Sequence, residues 1–144
     1  MADNINIEMK LSSVSEVSFM MSPGKIDKNV TAGDIQLGFS SNIQPDLNNN
    51  IFTLNFGVRY DLSDEVLLEC LYSFVFEVND LKQFVTFNPN KTVTVNHLMP
   101  HFLSIAVGTM RGILVVKTAG TALSKYPLPI IDINRLNSIL SAQK

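Results

Sequence analysis

Apolar and polar positions alternate through the first half of the chain, and the alternation predicts strands. Ile5, Ile7, Met9 and Leu11 fall on one parity, with Asn6, Glu8, Lys10 and Ser12 between them. The same parity resumes at Val17, Phe19 and Met21, so a long strand with a soft middle at Ser12-Ser13 is expected, ending at a Pro23-Gly24 turn. Ile35, Leu37, Phe39 and Ile43 face Gln36, Ser40 and Asn42 across a second strand, which a turn-forming run from Pro45 to Asn50 terminates. The third strand sets Phe52, Leu54, Phe56, Val58, Tyr60 and Leu62 against Thr53, Asn55, Arg59 and Asp61. A short reversal at Ser63-Asp64 then predicts an antiparallel hairpin with the fourth, Val66 to Val78. That fourth strand is apolar at every even position. At its odd positions Leu67, Leu71 and Val75 alternate with Glu69, Ser73 and Glu77, as on a partly covered face or a contact surface.

Past residue 79 the period changes. Asn79 to Val95 reads as a connector with a turn at Asn88-Pro89-Asn90-Lys91 and a short extended piece at Thr92–Val95. From Asn96 to Gly120 the chain carries helical punctuation at both ends. Asn96 is placed to cap, Pro100 sits early, Lys117 lies in the last turn and Gly120 just beyond it. Between those ends the segment is apolar on nearly every side, which demands cover from more than one direction. Tyr126-Pro127-Leu128-Pro129 is extended. Ile131–Ser141 is a short helix capped by Asp132, with Ile133, Leu136, Ile139 and Leu140 on one side. Four antiparallel strands followed by one long and one short helix make an α+β fold, expected as one domain over residues 1–144.

Composition narrows the function classes. Of 144 residues, 46% are apolar and 17% charged, which excludes disorder. A net charge of −2 argues against a nucleic-acid binder. Cys70 is the one cysteine, so no internal disulfide is expected, and a reducing, cytoplasmic setting is the simpler reading. The first residues, Met-Ala-Asp-Asn-Ile-Asn, show no basic region followed by an apolar run, so no signal peptide is expected. Leu98–Val116 approaches the length of a membrane span, but Arg111 inside it and Pro100 and His101 near its start favour burial by protein.

The search for chemistry returns little. His97 and His101 are four apart, without a third ligand or an intervening glutamate, so no metal or other cofactor is expected. Cys70 falls on an apolar strand face, where a thiol is inert packing. Ser104, Gly108 and Gly112 recur every four residues of the long helix, a stripe that lets another backbone approach closely. Arg111 requires a carboxylate or backbone carbonyls as partner.

The order of elements, together with Arg111-Gly112, Lys117-Thr118-Ala119-Gly120-Thr121 and Leu128-Pro129-Ile130-Ile131-Asp132, resembles the second half of the SecB-like protein-export chaperones. Glu16-Val17-Ser18-Phe19 and Leu67-Leu68-Glu69 resemble parts of that family's first and fourth strands. The resemblance implies a non-enzymatic chaperone for unfolded polypeptides, assembled as a dimer of dimers with long helices between sheets. It implies client contacts at Ile35, Leu37, Phe39, Phe76, Val78, Ile133, Leu136 and Leu140. Docking of the SecA motor would fall at Glu16, Leu67 and Glu69, with Met20 standing where the family carries a further acidic residue. The oligomer interface is expected at Leu68, Cys70, Tyr72, Ser104, Gly108 and Gly112. Two other readings remain open: an adaptor or assembly subunit with one folded partner, as in a toxin–antitoxin or mobile-element setting, and a small hydrolase or metal enzyme using His97, His101 or Cys70.

Overall fold

The computed structural model describes residues 6–22, 24, 26 and 30–142. Ile5 of the first expected strand, Pro23 of the expected turn and the last two residues, Gln143 and Lys144, lie outside the described residues.

Strands β1 (Met9–Met21), β2 (Ile35–Asp46), β3 (Ile51–Leu62) and β4 (Glu65–Val78) form one antiparallel sheet in the order β1-β4-β3-β2. The strict alternation of β3 and β4 places them in the middle. Their even residues, from Phe52 to Tyr60 and from Leu68 to Val78, are all buried on one face. Helix α1 (Met99–Thr118) lies over that face. Its Phe102 sits between Phe52 and Phe76, with ring centroids 4.5 and 4.3 Å away.

Two bulges interrupt β1. Ser12 is the extra residue of the first, at the expected soft middle, and Val17 of the second. Between them the parity inverts, so that Val14 and Glu16 stand opposite Phe74 and Tyr72 on the helix side. The expectation that Val17 rejoins the buried parity therefore fails: as an extra bulge residue it is exposed, and the parity returns only at Phe19. A third bulge makes Leu67 the extra residue of β4, since Tyr60 pairs with Leu68 and Asp61 with Val66.

The connector is more ordered than its composition suggests. It carries a short 3₁₀ turn (Leu81–Gln83) and a small hairpin of β5 (Val85–Phe87) and β6 (Val93–Val95). The extended piece expected at Thr92–Val95 is β6; its partner β5 had no distinct signal. Asn96 does not cap the long helix: its N–H donates to the Phe84 carbonyl (2.8 Å), which closes the hairpin, and the helix begins three residues later. His97 follows in left-handed backbone (φ 69°), and α1 starts at Met99 with Pro100 in its first turn. At the other end Gly120 takes φ 79°, as the sequence implies.

Arg111 finds carbonyls, one of the two partner types foreseen. Its Nε donates to Leu128 O (2.9 Å) and its Nη2 to Pro129 O (2.7 Å), strapping the proline-rich segment along α1. Asp132 then caps α2 (Ile133–Ala142) by accepting from the N–H groups of Asn134 and Arg135. Leu136 and Leu140 are buried, whereas Ile139, expected beside them, lies on the flank of that stripe and is exposed.

Candidate functional site

A groove of about 660 Å³ runs between the outer edge of β2, the β5–β6 hairpin, the start of α1 and the end of α2. Ser41, Asn42 and Ile43 form one wall and Lys91 to Val95 another, while Met99, Asn137, Leu140 and Ser141 complete the lining. The lining mixes aliphatic, hydroxyl and amide groups, and Lys91 is the one charged residue among the described residues that form it. Each wall has a local cause. Asn90 Oδ1 accepts from the Thr92 N–H (3.2 Å), and the Asn88 amide donates to the Thr92 and Thr94 hydroxyls, so the hairpin turn holds β6 in place.

Of the expected client contacts, Leu140 reaches this groove. Phe76 and Val78 are fully buried beneath the helices and Leu136 is core as well. Ile35, Phe39 and Ile133 are half-buried, and Leu37 is exposed on the edge strand. Sequence reasoning missed Ile43 as a lining residue, together with Val93, Val95 and Met99. The signal for the valines was present in the alternation of Thr92–Val95, but without β5 nothing placed that piece beside β2.

The expected docking residues do not share a surface. Leu67 is wholly buried, a consequence of its bulge. Glu16 is turned toward α1 by the inverted parity between the β1 bulges. There it accepts from the Tyr72 hydroxyl (2.7 Å) and pairs with Lys117 Nζ (2.9 Å), which also lies 4.9 Å from the Phe19 ring centroid. Glu69 alone is on the outer face, where it pairs with Arg59, whose Nε is held by Asp61. The expected oligomer residues divide too. Leu68, Cys70 and Tyr72 are buried under the chain's own helix, while Ser104, Gly108 and Gly112 line the open side of α1. A Cβ at either glycine would meet nothing within 4 Å. Val115 and Val116 continue that open side; the cations beside it, Arg111 and Lys117, are engaged by the Leu128 and Pro129 carbonyls and by Glu16.

The hydrolase residues are not assembled. His97 precedes α1 and His101 is exposed in its first turn, so they share no helical face. Burial pushes the Cys70 thiol up to about 11, which leaves it protonated and unreactive at neutral pH. Burial likewise pushes the Tyr60 phenol up to about 12; its hydroxyl donates to the Tyr126 carbonyl (3.0 Å). α1 is long and apolar enough by itself to cross a membrane, and one side of it is packed on the sheet.

The bonds from Lys117 and Tyr72 hold the Glu16 carboxyl below its ordinary range. A carboxyl depressed in the folded chain contributes stability above its unfolded pKa and loses it as the pH falls through the folded one. Glu16→Gln is therefore expected to lower the melting temperature at pH 7. The gap to the natural chain should close as pH falls below the carboxylate range. An equal gap at pH 7 and pH 3 in thermal melts would remove Glu16 as the titrating group.

These elements define a SecB-like fold: a four-stranded antiparallel sheet with one long and one short C-terminal helix. Among solved structures the chain is similar to the Mycobacterium tuberculosis Rv1957 SecB-like chaperone, solved in complex with a ChAD peptide from the Rv1956 HigA1 antitoxin. The TM-score is 0.59 at 11% identity, over 86% of this chain and 90% of that one. No protein-family model and no curated protein matches the chain.

Proposed function

We propose that the chain is a SecB-like chaperone that binds non-native polypeptide passively, without enzymatic chemistry or a cofactor, in the groove between β2, the β5–β6 hairpin and α2. The observation that carries this reading is the groove itself: open, and mixed aliphatic and polar. The similarity in fold to a chaperone solved with a bound peptide agrees with it. The working unit is an assembly of two or four chains, with the open side of α1 buried between copies in a reducing, cytoplasmic setting. Hand-over to the SecA motor is not part of the proposal, because Glu16, Leu67 and Glu69 do not meet on one surface.

A second reading has one specific support. The peptide in the similar structure comes from one antitoxin, so this chain would be an adaptor for a single partner and not a general holdase. Both readings are tested with a reduced, alkylated, permanently unfolded model protein. The chaperone is expected to bind it by calorimetry and to suppress aggregation of unfolding proteins at substoichiometric amounts. Failure on both counts excludes the general chaperone. A pull-down that recovers one stoichiometric partner instead of many clients selects the adaptor.

A further inference from the structure

The groove has a property that follows from hydrogen-bond parity. In an antiparallel pair, residues bonded to the neighbour alternate with residues whose N–H and C=O point the other way. Asn88 N–H donates to Thr92 O (2.9 Å) and Asn96 N–H to Phe84 O (2.8 Å), so positions 92, 94 and 96 are the ones bonded toward β5. Val93 and Val95 therefore direct their main-chain groups away from β5. The same reasoning applies to the main sheet. Val78 N–H donates to Asn50 O (2.9 Å), which assigns the even residues of β3 to β4 and its odd residues to β2. Since Asn55 pairs with Asn42 and Thr53 with Gln44, the even residues of β2 are the bonded ones. Ser41 and Ile43 thus direct their main-chain groups to the free edge, because β2 is the last strand of the sheet. All four residues line one groove.

These two strand edges, unpaired among the described residues and lining one groove, are complementary to one kind of occupant, a main chain in extended conformation. A folded helix has no free N–H and C=O groups along its length to satisfy them. Lys91, at the hairpin end of the lining, adds electrostatic complementarity for an acidic residue there.

Resting on the polypeptide-binding reading, we propose that the occupant is a client segment held by strand addition. It bonds Ser41 and Ile43 on β2 and Val93 and Val95 on β6, and becomes the strand that joins the two sheets. Affinity then comes from the main chain, and preference from alternate side chains directed at Met99 and Leu140. Segments that alternate apolar and polar residues, carry an acidic residue and lack proline at the bonded positions are favoured.

Amide hydrogen exchange tests this, read residue by residue with and without the permanently unfolded protein as probe. The amides of Ser41, Ile43, Val93 and Val95 are expected to slow at least about tenfold on binding, while those of Asn42 and Thr94, already bonded, stay as they were. Binding of the probe with unchanged exchange at these four amides overturns strand addition and leaves the chaperone reading intact. Slowing at one edge alone overturns the bridge. Protection before the probe is added gives the edge to a second copy and also overturns it. Absence of binding overturns both readings together. A variant provides an independent check. Ile43→Pro removes an N–H that is free in the chain itself, a substitution an edge strand tolerates. It is expected to weaken probe binding roughly threefold to tenfold beyond Ile43→Ala, the loss of one net hydrogen bond. Equal binding by the two variants contradicts the proposal.

Discussion

Phe102→Ala is expected to destabilise the chain by about 3–5 kcal/mol, the usual cost of removing a buried phenylalanine. The site gives this substitution little relief. Phe102 is fully buried, and its ring lies between those of Phe52 and Phe76, which belong to the two central strands. The strands are locked by ladders on both sides and cannot move in to fill the space. Each aromatic pair contributes about 0.5–1.5 kcal/mol beyond the area it buries, and the substitution removes two such pairs. For a chain of this size the melting temperature should fall by roughly 10 °C or more. Val116→Ala, exposed on the open side of the same helix in the single chain, is the control, expected to change little in melts at concentrations low enough to separate the copies. Calorimetric or circular-dichroism melts of both variants decide the matter. A loss below about 1 kcal/mol for Phe102→Ala would mean that α1 is not pinned to the sheet at this point. The consequence reaches the groove, because Met99, one turn before Phe102, forms part of its lining. A chain that loosens there should also lose client binding.

Much of this fold was legible in the sequence, and the failures have common causes. Strict alternation identified the buried face from Phe52 to Tyr60 and from Leu68 to Val78, though not at Val66, which the Leu67 bulge sets opposite Asp61, and Gly120 marked the end of α1. Alternation cannot foresee a bulge that inverts it. The two bulges of β1 moved Glu16 from the outer face to a bond with Lys117, and the bulge at Leu67 buried a side chain read as exposed. Two of the three expected docking residues, Glu16 and Leu67, leave the face that carries Glu69 in that way. The N-terminus of α1 was misplaced because the β5–β6 hairpin extends to Asn96, whose N–H donates to Phe84 O, and His97 in left-handed backbone separates it from the helix. The groove was hardest to anticipate. Its two walls are β2 and β6, far apart in sequence, and the three-residue strand that fixes β6 is too short to produce a periodic signal. Arg111 shows the opposite case. Its need for carbonyl or carboxylate partners followed from charge alone, and only their identity, Leu128 and Pro129, required the fold.

Gly108→Leu and Gly112→Leu are expected to dissociate the assembly while leaving the single chain as stable as before or more so. The two effects have opposite signs because they arise in different places. Within one chain neither glycine has a neighbour, since a Cβ there meets nothing within 4 Å. A leucine in that exposed helix position gains up to about 1 kcal/mol of helix propensity over glycine. Between chains the situation reverses. Ser104, Gly108 and Gly112 with Val115 and Val116 form a strip of small and aliphatic residues on the open side of α1, and small residues there allow two backbones to come close. Leucine overfills such a contact at a cost of about 1–3 kcal/mol. In a two-fold interface the same residue occurs on both sides, so the penalty is incurred twice. Light scattering should therefore give a mass of two or four chains for the natural protein and of one chain for either variant, with melts at low concentration unchanged or raised. A natural protein that is monomeric at working concentrations contradicts the assembly. Variants that keep the oligomer move the interface off this helix face, and variants that unfold show that the glycines serve the chain and not its contacts. Dissociation with an intact fold also separates the two surfaces. Client binding that survives in the dissociated Gly108→Leu chain places the whole site within one subunit, as a groove built from β2, β6, α1 and α2 of a single chain requires.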